Sequence, residues 1–190
     1  MYITRQMLQQ VESRYGKPDI LLLEQAISPE EMAMVRSSQK NGRAHDVTFF
    51  IFNPENQVAV IAKPFFPPGA YRAPSGGLDP GEDFVQGTRR EAWEETGLDI
   101  TVEHYILRVE ATFTSGDDSL AWTSHVVTAS TPERALNPQD RDEIREARFV
   151  TLEELEGPVR RVLWESGQGL FRYRCRLTDR ALELIRRLQG

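Results

Sequence analysis

The sequence predicts an α/β fold, and three observations carry that reading. Val47 to Phe52 and Val58 to Ile61 are β-branched and aromatic runs around the turn-forming Pro54-Glu55-Asn56, which reads as a hairpin. Phe84 to Thr96 has the composition of a helix, with Gly97 where a C-cap glycine belongs. Two further strand runs follow, Ile100 to Val109 and Ala121 to Ala129, separated by the turn Ser115-Gly116-Asp117-Asp118. Strands and helix thus share one central domain, read as residues 45–156.

The flanks read differently. Residues 1–44 are a helical extension: Ile3, Met7, Leu8, Val11 and Tyr15 recur at helical spacing until Gly16-Lys17-Pro18 stops them. Ser28-Pro29-Glu30-Glu31 is a capping box with proline at the first helical position, opening a helix to about Arg36, and Asn41-Gly42 marks a turn. Pro64 to Gly81 is a loop rich in Pro and Gly. Arg148 to Val150 is short and extended, and Thr151-Leu152-Glu153-Glu154 is a second capping box. Residues 157–190 form a tail read as helix–strand–helix. Val159 to Trp164 is its first helix and Thr178 caps its last. Between them Phe171, Tyr173, Cys175 and Leu177 alternate with Arg172, Arg174 and Arg176 as in a strand.

At 190 residues the chain can bury a core without disulfides, and 39% hydrophobic with 27% charged residues is an ordinary globular balance. The net charge of −6 does not attract polyanions, so long nucleic acid is not an expected partner. A small anionic substrate stays compatible if a cation supplies local positive charge. The single Cys175 allows no intrachain disulfide. Met1 to Gln10 has no continuous apolar run, and no stretch is long and apolar enough for a spanning helix. The expectation is a cytoplasmic protein with no membrane partner.

The chemistry concentrates between Gly76 and Leu98, in GGLDPGEDFVQGTRREAWEETGL. Glu91, Glu94 and Glu95 stand at i, i+3 and i+4, which places three carboxylates on one helix face. Each like-charged pair costs about a few tenths of a kcal/mol, so the cluster calls for a cation among them. Oxygen-only ligands select Mg²⁺ or Mn²⁺ over zinc. Upstream, Pro74-Ser75-Gly76-Gly77 and Pro80-Gly81-Glu82 form a loop whose backbone can approach a metal–diphosphate complex closely. A Glu-rich helix face alone is most often merely solvated; the combination of helix and glycine loop is what points to a site.

That combination resembles the Nudix box, Gly-x5-Glu-x7-Arg-Glu-U-x-Glu-Glu-x-Gly-U with U aliphatic, through Gly76, Glu82, Arg90, Glu91, Ala92, Glu94, Glu95, Gly97 and Leu98. Every fixed position matches, and Ala92 is small for its aliphatic slot. The resemblance implies an α/β/α sandwich with a mixed sheet and a Mg²⁺-dependent hydrolase of phosphoanhydride bonds, Mn²⁺ being able to substitute. It implies Glu91, Glu94 and Glu95 as metal ligands with the Gly76 carbonyl, Glu82 and Gly77 as supports, and Arg90 as the group that orients a carboxylate. Family members often use a further acid before a later strand as general base or extra ligand. Glu143 is the best match here, with Glu146 and Asp142 as competitors. His45, His104 and His125 read as structural.

Substrate is less legible. The residues past the box, Thr112-Phe113-Thr114, hold neither the proline that resembles ADP-ribose members nor the tyrosine of diadenosine-polyphosphate members. Motifs of coenzyme A and NADH members are absent too. The reading is therefore generic: a small nucleotide-like substrate, a nucleoside diphosphate linked to another group. Arg72, beside Tyr71, is placed to meet a phosphate, and Phe113 and Trp122 are candidates to stack a base, although such rings are more often core.

The tail carries eight arginines and three acids (Glu165, Asp179 and Glu183), a net +5 against −11 for the rest. An arginine stripe can read nucleic acid, protect an edge strand or form a dimer contact. A homodimer through the N-terminal extension is compatible with the sequence. The rival to an enzyme is a non-catalytic nucleotide sensor of the same fold with a basic partner-binding tail. Degraded box carboxylates would favour it, and Glu82, Glu91, Glu94 and Glu95 are all intact.

Overall fold

A computed structural model describes residues 2–39 and 42–190. Asn41, half of the expected Asn41-Gly42 turn, lies outside the described residues. In chain order the elements are α1 (Arg5–Tyr15), β1 (Asp19–Ala26), α2 (Pro29–Ser38), β2 (His45–Phe52), β3 (Val58–Ala62), β4 (Ser75–Gly76), α3 (Phe84–Thr96), β5 (Thr101–Ser115), β6 (Asp118–Ser130) and β7 (Glu146–Val150). Then come α4 (Leu152–Glu154), a π-helical turn over Leu155–Val159, α5 (Arg160–Glu165) and α6 (Gly169–Gln189).

The strands form one mixed sheet in the order β1-β5-β6-β2-β3-β7, with the two-residue β4 beside β2. β1–β5 and β2–β6 run parallel, and β5–β6, β2–β3 and β3–β7 antiparallel. β2 is buried almost throughout because both its faces are covered. Val47, Phe49 and Ile51 pack with Val11 of α1 and Phe84 and Ala92 of α3. Phe50, from the opposite face, packs with Met32 and Val35 of α2 and with α6. The result is the expected α/β/α sandwich.

Both capping boxes form: Ser28 accepts from Glu31 N–H and Thr151 from Glu154 N–H, and each glutamate returns to the cap backbone. Glu31 does more, because its carboxylate also accepts from the Gly169 and Leu170 N–H groups (3.2 and 2.8 Å). It thereby satisfies donors at the start of α6, whose N-cap Gln168 makes no side-chain cap bond.

Two expectations change. The extension is not purely helical: Ile20-Leu21-Leu22-Leu23 sits in β1, paired parallel with β5 as an edge of the sheet. The apolar run is continuous and without helical period, and an edge position buries Leu23 while leaving Ile20 and Leu22 exposed. The tail has no strand, since Phe171 to Leu177 lies within the 21-residue α6. Four alternating positions mimic a period of two, but Ala181, Leu182, Leu184 and Ile185 continue the buried face at helical spacing. Leu and Arg are also good helix formers.

Five of the eight tail arginines make ion pairs or hydrogen bonds within the chain. Arg160 pairs bidentately with Asp179, Arg174 with Asp46, Arg180 with Asp19 and Glu183, and Arg186 with Glu156. Arg176 donates to the Glu24 carbonyl of edge strand β1 (3.1 Å), which occupies one acceptor of that edge.

Candidate active site

The loop before α3 is tied to the sheet before it meets the helix. β4 pairs with β2 at Thr48↔Ser75 and Val47↔Gly76, and Arg72 bridges to Ile61. α3 is capped by Asp83, whose side chain accepts from the Val85 and Gln86 N–H groups. The fully buried Phe84 anchors its first turn. It ends at Gly97 in the left-handed conformation (φ 74°).

Between these supports the box carboxylates take distinct places. A Cβ on Gly76 would lie 1.9 Å from Glu91 Oε2, so the bare backbone of Gly76 lies directly against the Glu91 carboxylate. Glu95 is buried and accepts from the Ser75 N–H (2.8 Å). Burial pushes the Glu91 carboxyl up to about 7, and burial likewise raises Glu95. Glu94 stands nearer solvent.

Arg90 is the hub. It binds Glu82 through two bonds (2.8 and 2.9 Å), Glu91 (3.0 Å), Glu94 (3.1 Å) and the Gly77 carbonyl (3.1 Å). The paired bonds to Glu82 use the guanidinium fork, which a lysine cannot reproduce. They are the main reason its charge is held firmly, and they keep the Glu82 carboxyl below its ordinary range. Glu82 also accepts from the Asp79 N–H and so closes the Pro80-Gly81 turn.

Glu143 reaches this site by a different route. The Glu94 carbonyl at the end of α3 accepts from Gln139 and Asp140, and the Thr96 carbonyl accepts from Asn137. Asp140 then accepts from the Asp142 and Glu143 N–H groups. The turn so fixed brings Glu143 to 2.8 Å from Lys63 Nζ, which lies 3.6 Å from Glu95. Lys63, at the end of β3, thus joins the box to the later acid. Of the competitors, Glu146 is in β7 and bonds Tyr71, whose ring lies under the Arg148 guanidinium (4.5 Å). Asp142 lines the cavity described next.

A cavity of about 600 Å³ opens beside Lys63 and Glu143, between α2, the β3 end and α6. That volume suits a small molecule. Arg72 is buried in its wall, donating to the Ala73 carbonyl and Ser75 Oγ through one nitrogen. Burial, then the charge of Arg174, lowers its pKa to about 10, so it remains a cation at neutral pH. Arg174 reaches in from α6, bonded to Asp46 (2.7 Å) and Thr48 (3.0 Å). The buried Asp46 also accepts from Ser124 and from Trp122 Nε1, and Tyr173 donates to Ser124. Burial opposes the Asp46 carboxylate, yet Arg174 and these donors hold its carboxyl below the ordinary range.

Phe113 and Trp122 both line the cavity but are only 2% and 8% exposed. Phe113 packs edge-to-face on Tyr173 and Trp122 is tethered to Asp46, so they form wall rather than free stacking faces. His45 and His125 lie on the other side of the sheet with Phe84 and Tyr105, and His104 bonds Thr128. Sequence reading missed Lys63, Arg174 and the cavity itself. A lone lysine at a strand end gives no signal, and Arg174 looked like part of a surface stripe.

No curated protein sequence matches the chain. Among solved structures it is similar to a C. elegans Ap4A hydrolase, 16% identical over 62% of this chain and 86% of that one, with a TM-score of 0.46. It is likewise similar to the E. coli dihydroneopterin triphosphate pyrophosphohydrolase, 16% identical over 60% and 84% of the two chains, TM-score 0.48. A third is the NUDIX domain of Shewanella oneidensis NrtR complexed with ADP ribose, 17% identical over 60% and 75%, TM-score 0.46. The NUDIX domain family model matches residues 42–170, well over half of the chain. With that domain and its intact box on α3, the chain belongs to the Nudix hydrolase family.

Proposed function

We propose that the protein hydrolyses a phosphoanhydride bond in a nucleoside diphosphate linked to another group, with Mg²⁺ as cofactor and Mn²⁺ able to substitute. The observation that carries this is the packing of the half-buried Glu91 and the buried Glu95 against the Ser75-Gly76 backbone, with Glu95 joined through Lys63 to the wall of a nucleotide-sized cavity.

The donor set fits a hard cation. Its members are carboxylate oxygens of Glu91, Glu94 and Glu95 with the Gly76 carbonyl, and burial disfavours the charge of Glu91 and Glu95 until positive charge joins them. Among the described residues no three His, Cys, Asp or Glu side chains already converge as a metal cage. Arg90 pairs with Glu82, Glu91 and Glu94; Glu91 and Glu94 would hold the cation with Glu95, and Glu82 would keep its paired bonds to Arg90. Bound there, the cation would neutralise phosphate charge and acidify the attacking water.

The chain's own groups divide the remaining work. Arg72 receives a phosphate through the nitrogens not used by Ala73 and Ser75. Glu143 accepts the proton of the attacking water, held by Lys63 beside Glu95. Arg90 positions the box carboxylates. Glu94→Gln tests the reading: it is expected to lose turnover by at least about 100-fold while melting like the wild type. Unchanged turnover in the folded variant removes Glu94 from the metal site.

A further inference from the structure

Among the exposed large hydrophobic residues described, only Phe65 (62% exposed) and Met34 (46%) line the cavity. The others lie elsewhere on the surface. Large apolar side chains left open in a ligand-sized cavity with apolar walls and buried cations mark a contact that forms on binding.

Phe65 is rigidly presented. It lies in the turn closed by the Phe66 N–H to Lys63 carbonyl bond, among Pro64, Pro67 and Pro68. Arg145 holds the Phe66 carbonyl (2.9 Å). Phe65 stands edge-to-face on Phe66 (5.1 Å), which stands edge-to-face on the buried Phe171 of α6 (4.9 Å). A ring braced from below needs little ordering when a second ring stacks on it. Met34 comes from α2 on another wall, and a thioether adapts well to an aromatic face.

The same turn begins at Lys63, which bridges Glu143 and Glu95, and Arg72 lies 5.9 Å from the Phe66 ring. An apolar clamp therefore adjoins cations suited to phosphate. A planar aromatic group joined to phosphates satisfies both halves. We propose that Phe65 and Met34 form the subsite for the nucleobase of the substrate, which directs its phosphates inward to Arg72 and the box. This rests on the reading of the cavity as the substrate site. It makes α2 and the β3 turn, outside the box, the parts of the chain that set substrate preference.

Titration calorimetry tests this with ADP, GDP, CDP and UDP as probes and inorganic pyrophosphate as the base-free control, all with Mg²⁺. The wild type is expected to bind at least one nucleoside diphosphate more tightly than pyrophosphate. Phe65→Ala should weaken that nucleotide about 10-fold, the loss of one stacked base, while leaving pyrophosphate unchanged. Phe65→Tyr should restore it, and Met34→Ala should weaken it several-fold. Because Phe65 is largely exposed, its variants should melt like the wild type. Equal loss of pyrophosphate, no loss of nucleotide, or no preference for any nucleoside diphosphate over pyrophosphate in the wild type overturns the subsite. Cleavage of nucleotides that ignores Phe65→Ala refutes only the subsite. Phe65-dependent binding without any cleavage refutes only the hydrolysis.

Discussion

Removing the charge of Arg174 should destabilise the whole chain, because this side chain is the buried ionic tie between the tail helix and the centre of the sheet. Its guanidinium bonds Asp46 and Thr48, 128 and 126 residues away in sequence. Asp46 is 5% exposed, and its remaining donors, Ser124 and Trp122, are neutral. Arg174→Met keeps most of the packing volume but strands a buried carboxylate. Breaking one side of such a pair costs about 3–5 kcal/mol, most of it from the charge left behind. For a chain of this size that is a fall in Tm of roughly 10 °C. Asp46→Asn in the same chain removes the stranded charge and keeps an oxygen for Ser124 and Trp122, so the double variant should recover about half of the loss. Urea denaturation of the wild type, both single variants and the double variant completes the cycle. A loss under about 1 kcal/mol for Arg174→Met, or a double variant no better than it, would refute the argument that this pair pins α6.

Other consequences are equally direct. Gly97→Ala places a Cβ 2.1 Å from the Asn137 carbonyl oxygen in a left-handed conformation (φ 74°), so a loss of roughly 2–4 kcal/mol in urea denaturation is expected. Because the 137–140 segment hangs on the end of α3 and fixes Glu143, turnover should fall in the same variant even where it remains folded. Glu143→Gln should lower the rate about 100-fold or more with little change in Mn²⁺ affinity, measured by titration; a wild-type rate would return the base role to Glu146, Asp142 or the box. Acid should destabilise the protein through His45 and His125, which burial holds at about 4 and about 3. Their folded pKa values lie below the unfolded 6.5, so their contribution is complete above pH 6.5 and is lost as pH falls from there toward 4 and 3. Between pH 7.5 and 5 the stability gap between wild type and His45→Asn should move toward the variant by about 1–2 kcal/mol, allowing for partial hydration of the ring. A gap independent of pH would show that His45 is not held neutral.

The box was legible because its groups are local. Glu91, Glu94 and Glu95 fall on one helix by spacing alone, although their carboxylates take separate partners, Arg90 for the first two and the Ser75 N–H for the third. The hairpin of β2 and β3, the Gly97 cap and both capping boxes were legible for the same reason: each is decided within a few residues. What failed depended on distant partners. The alternation of Phe171 to Leu177 suits a strand as well as the start of a broad helix face, and the reading turns only when Ala181 to Ile185 are taken with it as one face packed on the sheet. The run Ile20 to Leu23 became a strand because β5 offered an edge. Lys63 and Phe65 carry no pattern of their own, and acquire meaning from Glu143, 80 residues later, and from a cavity whose walls come from both flanks of the chain.

The most direct test of the central claim is a product-resolved hydrolysis screen of nucleoside triphosphates, nucleotide sugars, ADP-ribose and dinucleoside polyphosphates, run with Mg²⁺, with Mn²⁺ and with chelator. The account predicts cleavage at a phosphoanhydride bond in one class of compound, abolished by chelator and by Glu94→Gln. Cleavage that survives chelation, or no cleavage of any of these compounds by folded protein, would contradict it.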